Sequence, residues 1–72
     1  MHASTDITIE LNGSAKLLPV GTTIATLVAM TLQQPRGYAV ELNLSVVPRR
    51  DHATTEVRAG DKVEIVTLVG GG

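Results

Sequence analysis

The chain has 72 residues, a formal net charge of -1 and no cysteine. One domain of this size buries only about 60% of the surface its unfolded form exposes, so stability is modest and little interior is left for an enclosed pocket. The missing cysteines exclude disulfides, thiolate metal sites and cysteine nucleophiles, and the near-zero charge argues against nucleic acid or an anionic membrane as partner.

Tyr38 is the sole aromatic residue, so the core must be aliphatic. His2 and His52 are too few for a histidine zinc site without carboxylate help, and no metal site is expected. The longest apolar stretch, Ile24 to Leu32, falls far short of the roughly 20 residues that span a bilayer. The start, "MHASTDITIEL", has neither the basic lead nor the apolar core of a signal peptide, so a soluble cytoplasmic protein is the expectation. His2 reads as a disordered terminal residue.

"DITIELNGSAKLLPVG" reads as a hairpin. Ile7, Ile9 and Leu11 alternate with polar neighbours at the period of a half-buried strand. Asn12-Gly13 suits the positive φ of a type I′ turn. Alternation is less clean through Ala15, Leu17 and Leu18, and Pro19 with Gly21 ends the second strand.

"TTIATLVAMTLQQPRG" reads as a helix capped by Thr22 or Thr23 and stopped by Pro35 and Gly37. Ile24, Leu27, Val28 and Leu32 share one face, with Thr31 beside them. No capping box is present, and the helix is rich in β-branched residues, so packing on a sheet must hold it.

"YAVELNLSVVPRR" predicts a third strand with Tyr38, Val40 and Leu42 on one face. A turn follows near Asn43 to Ser45, then a short strand at Val46-Val47 cut by Pro48. "RDHATTEVRAGD" is an irregular connection with room for one helical turn. "KVEIVTLV" is the last strand. Val63, Ile65, Thr67 and Val69 share one of its faces; Lys62, Glu64, Val66 and Leu68 share the other. Two readings stand for the second face. It is an exposed docking patch at Val66 and Leu68, or it is buried on both sides in the middle of the sheet.

This order implies an α+β fold, a ubiquitin-like β-grasp: a mixed sheet of four to five strands with one helix packed on one face. Residues 1–69 are expected to form the domain, and residues 70–72, three glycines, a flexible tail with disorder past Val69. An expression scar would explain such a tail. A free carboxylate on a thin stalk without β-carbons, able to thread into another enzyme's active site and be activated there as an acyl adenylate, would explain it too.

The chain resembles the ThiS-type sulfur carriers of thiamin biosynthesis, a ubiquitin-like family. The likeness is carried by "LNG" (Leu11 to Gly13), "GTT" (Gly21 to Thr23), "YAVELN" (Tyr38 to Asn43), "VVPR" (Val46 to Arg49), "AGDKVEIVTLV" (Ala59 to Val69) and the final "GGG". The resemblance implies a protein cosubstrate that is not itself an enzyme, with no catalytic residue and no bound cofactor. An ATP-dependent, ubiquitin-activating-like adenylyltransferase, using ATP and Mg, would adenylate the carboxylate of Gly72 while Gly70 and Gly71 thread its active site. Sulfur originating from cysteine, through a cysteine desulfurase, would displace AMP, and thiazole synthase would take it from the thiocarboxylate. A chain without cysteine fits, since it can hold no persulfide. Val66, Leu68, Arg49 and Arg58 are the candidate docking residues, and the free carrier is expected to be a monomer. The family often has Asn-Gly where Asn43-Leu44 stands, which suggests another turn geometry, and often an acidic residue where Thr26 stands.

The small subunit of molybdopterin synthase shares the fold, tail and thiocarboxylate logic; the short chain, "VVPR" and the lack of Phe favour the thiamin carrier. A ubiquitin-like modifier would use the same tail to join lysines through Gly72, whereas a plain interaction module would have no need of Gly71 and Gly72. Ser45, Asp51 and His52 are triad residue types, but no nucleophile elbow accompanies them, and they read as turn residues. Arg49, Arg50 and Arg58 read equally as a docking cluster and as solvated charge.

Overall fold

The computed structural model describes residues 6–68. His2, Val69 and the glycines Gly70, Gly71 and Gly72 lie outside the described residues, as does the expected boundary between domain and tail.

Strands β1 (Asp6–Leu11) and β2 (Ser14–Pro19) form an antiparallel hairpin closed by Asn12 and Gly13, whose φ angles of 49° and 85° are those of a type I′ turn. Ile7 lies opposite Leu18 and Thr8 opposite Leu17. The uneven alternation is thereby resolved: Leu18 points into the core and Leu17 out to solvent.

Helix α1 (Ile24–Thr31) buries Ile24, Leu27 and Val28, the i, i+3, i+4 stripe that packs on a sheet. Thr23 is the cap; its Oγ1 accepts from the Thr26 N–H at 3.2 Å. Thr22 instead donates its hydroxyl to the Pro19 carbonyl. The preceding N–H groups find partners in the long connection, Ile24 on the Thr55 carbonyl at 2.8 Å and Ala25 on that of His52 at 2.9 Å. The helix stops at Thr31, short of Pro35. Thr31 Oγ1 donates to the Leu27 carbonyl, and Leu32 turns extended with φ -110° while its side chain packs against the core. Pro35 also disfavours helical geometry at Gln34.

Strand β3 (Tyr38–Leu42) turns into the two-residue β4 (Ser45–Val46), a 3₁₀ turn covers Arg49–Asp51, and β5 (Lys62–Thr67) follows. The sheet order is β2-β1-β5-β3-β4, with β5 parallel to β1 and antiparallel to β3. One helix on one face of a five-stranded mixed sheet is the β-grasp arrangement. Ile9, Leu18, Val40, Val57, Val63 and Ile65 meet the helix stripe in an aliphatic core. Each such side chain contributes roughly 1.5–3 kcal/mol on burial.

The β3–β4 turn keeps the type I′ form that Asn43-Leu44 argued against. Asn43 and Leu44 sit at φ 52° and 72°. Leu44 therefore occupies a left-handed position natural to glycine, and it is 77% exposed. Asn43 holds the turn shut: its N–H donates to the Lys62 carbonyl, its Oδ1 accepts from the Lys62 N–H at 2.9 Å, and its Nδ2 donates to Asp61 Oδ1. Asn12 acts alike on the other side of β5. Its N–H donates to the Val63 carbonyl and its Oδ1 accepts from the Ile65 N–H at 2.8 Å.

Leu44→Gly is expected to relieve the left-handed strain and stabilise the protein by about 1 kcal/mol, raising Tm by about 4–8 °C in a thermal melt. Asn12→Gly keeps the turn geometry but strips the acceptor from the Ile65 N–H. A loss of about 1–2 kcal/mol in urea unfolding is expected, and no loss would show that water replaces the amide there.

Candidate functional site

Strand β5 leads toward the glycine tail, so the site is built around its end. The strand occupies the centre of the sheet, yet Val66 and Leu68 are 50% and 59% exposed, because α1 covers only the opposite face. Of the two readings, the exposed patch is the one observed. Val66 lies opposite Ala39, and Val46 lies opposite Glu41 on the same outer face. Val46 is exposed as well. An exposed apolar strip, Val66 and Leu68, thus runs along the end of β5, with exposed Val46 beyond Glu41 on the same face.

Arg49 stands at this end. Its guanidinium carbon lies 4.1 Å from the centre of the Tyr38 ring, and its Nη2 donates to the Tyr38 carbonyl at 3.4 Å. Tyr38 pairs with Thr67, the last residue of β5. Arg58 stands elsewhere. Its N–H donates to Asp61 Oδ2 just before β5 begins, so the six-residue strand, roughly 20 Å long, separates the two arginines. The structure therefore joins Val66, Leu68 and Arg49 at the tail end and leaves Arg58 at the other.

The last rung before the tail is formed by Gly37, whose carbonyl accepts from the Leu68 N–H. Gly37 has φ 60°, and a Cβ there would lie 3.3 Å from the Leu68 carbonyl oxygen. Sequence reasoning saw Gly37 only as a helix stop. Its position one residue before the third strand was the available signal.

His52 lies in the turn that follows Arg49–Asp51, as expected, and it is buried there, 5% exposed. Its Nε2 lies 2.9 Å from the Val47 carbonyl, which can only accept, so Nε2 carries the proton. Nδ1 is left to face the Tyr38 hydroxyl at 3.5 Å. Both ring nitrogens are thus committed to structure, while Ser45 is exposed on β4 and the Asp51 carbonyl accepts from Thr55. No triad forms from these three. A hollow of about 290 Å3 opens between Tyr38, Val40, Val47, Pro48, Arg49 and His52, and its walls hold no nucleophile–base pair. Among the described residues, no group of acidic or histidine side chains could hold a metal ion.

The family model of the ThiS family matches residues 6–72. The crystal structure of a thiamine biosynthesis protein (ThiS) from Geobacter metallireducens superposes with a TM-score of 0.74 at 30% identity, covering 92% of this chain and 100% of that one. A thiazole synthase of Paramagnetospirillum magneticum is 37% identical over 64 residues. That match takes in 89% of this chain but 20% of the synthase, so the chain spans about a fifth of that curated relative.

His52→Ala is expected to cost about 2–4 kcal/mol in urea unfolding, since it empties a buried site and leaves the Val47 carbonyl without its donor. A variant as stable as the parent would show that the imidazole supports nothing.

Proposed function

The chain belongs to the ThiS family, the sulfur carriers of thiamin biosynthesis, and we propose that its sulfur rides on the main-chain terminus as a thiocarboxylate of Gly72. In this reading residues 1–69 are the folded unit, and Gly70 to Gly72 are the stalk that enters a partner's active site. A carboxylate oxygen of Gly72 attacks the α-phosphorus of ATP on an adenylyltransferase, which supplies the Mg, and pyrophosphate leaves. The outer sulfur of a persulfide that a cysteine desulfurase forms from cysteine then attacks the acyl carbon and expels AMP, and a thiol of the partner proteins reduces the resulting acyl disulfide to the thiocarboxylate. Thiazole synthase consumes the product. The carrier is a cosubstrate of these enzymes and performs no step itself.

The observation that carries this reading is the strand end. β5 delivers the chain past an exposed apolar strip and a final rung at Leu68, directly toward the three glycines. Glycines leave the acyl carbon open to attack on either side, and the apolar strip offers the partner a surface to grip. Arg49, its guanidinium carbon 4.1 Å from the centre of the Tyr38 ring near the end of β5, offers it a cation. The likeness to one segment of a thiazole synthase supports that enzyme as the receiving partner over a molybdopterin synthase large subunit. No helix among the described residues is long and apolar enough to cross a membrane. A monomeric carrier in the cytoplasm, where ATP and its partners are at hand, completes the proposal.

The test is the intact mass of untagged protein from its own cells. A species in which one oxygen is exchanged for sulfur, mapped to Gly72 and trapped by a thiol-alkylating reagent, is expected. If incubation with ATP, a sulfur source and the cell's activating enzyme also yields no such species, the thiocarboxylate reading is wrong.

A further inference from the structure

We propose that Gly37 is a positioning residue for the reacting terminus: its carbonyl, bonded to the Leu68 N–H, sets the point from which the tail's reach is measured. This inference rests on the reading of Gly72 as the reacting group.

The β3–β5 ladder pairs Tyr38 with Thr67, and the Gly37–Leu68 bond adds one rung beyond it. Glycine suits that rung for two independent reasons. The φ of 60° is left-handed, and a side chain would press on the Leu68 carbonyl oxygen at 3.3 Å. A turn bonded from the Arg36 N–H to the Gln34 carbonyl at 2.9 Å brings the chain into this conformation. Gly37 itself is exposed and contributes no side chain to the core, so a preference for glycine here serves the approach of the two backbones.

The consequence is geometric. Val69 to Gly72 can span at most roughly 13–14 Å when fully extended. A partner that grips Val66 and the strip around it meets the Gly72 carboxylate at a distance set by the last fixed residue. With the rung closed that residue is Leu68. With the rung open it is Thr67, and the stalk gains about 3.3 Å of slack. Docking through side chains survives this change. The fraction of bound complexes with the carboxylate in line for attack does not, and misplacement by about 1 Å can cost on the order of 100-fold in rate.

The experiment compares the parent with Gly37→Val and Gly37→Asn in two measurements. One is amide exchange at Leu68, with Val40 and Ile65 as controls for the fold. The other is ATP–pyrophosphate exchange by the purified activating enzyme at varied carrier concentration. Gly37→Val is expected to speed Leu68 exchange about tenfold or more while the control amides stay protected. The kcat for adenylation is expected to fall at least about tenfold with KM little changed. Gly37→Asn, which tolerates left-handed φ, should recover much of both. If Gly37→Val does not fold, Gly37→Ala takes its place with the same expectations. Unchanged Leu68 protection overturns the proposal. So does lost protection with unchanged kcat, or a change in KM alone. A parent that supports no pyrophosphate exchange defeats the reading of Gly72 itself; an active parent matched by an equally active, unprotected variant defeats only the role of Gly37.

Discussion

Main-chain hydrogen bonding along both edges of β5 is the interaction on which the rest of the molecule depends. β1 runs parallel to it on one side and β3 antiparallel on the other, so the hairpin at the start of the chain and the strand after the helix meet only through it. The parallel ladder is short, Glu10 and Leu11 against Lys62 and Val63, and it would leave the Ile65 N–H bare. Asn12 extends it with a side-chain oxygen. Asn43 does the same for the Lys62 N–H on the other edge. Two asparagines at left-handed positions of two tight turns therefore serve twice, once in the turn and once as surrogate strand. Glycine could make either turn but could not supply the acceptor.

That central strand also explains how a chain with one aromatic residue builds a stable interior. Val63 and Ile65 face the helix stripe of Ile24, Leu27 and Val28, and Val57 closes the core from the long connection. The connection does more than close it. Carbonyls of His52 and Thr55 receive the first helical N–H groups, and Val57 donates to the Thr22 carbonyl. The positive end of the helix is consumed by the protein itself. His52, buried with its ring nitrogens held by Val47 and Tyr38, anchors that connection near the end of β5. Among the described residues this frame leaves Val46, Val66 and Leu68 exposed on the outer sheet face, and Arg49 exposed near the end of β5.

Much of this was legible in the residues. Alternation along Asp6 to Leu11, the Asn12-Gly13 turn, the helical stripe and the strand leading to the glycines reflect local rules, so they survive folding unchanged. Where local signals conflict, the residues alone mislead. Leu17 and Leu18 are equally apolar, and only the pairing with Thr8 and Ile7 decides which one points inward. Leu44 is a poor residue for a type I′ turn. The turn forms because the three hydrogen bonds of Asn43 outweigh a left-handed leucine. His52 has the neighbours of a loop residue, and nothing in them announces that the Val47 carbonyl and Tyr38 close over it.

The sequence by itself determined the element order, the aliphatic core, the lack of any cysteine to carry sulfur, and the family. Each follows from composition, spacing or matched motifs, which need no third dimension. Tertiary structure alone decided which face of β5 is bare, that Arg49 stands near the end of β5 while Arg58 stands a strand's length away, and that Gly37 grips Leu68. The reason is physical: these facts depend on which strands become neighbours, and residues 37 and 68, or 12 and 65, are brought together only by pairing across the whole sheet.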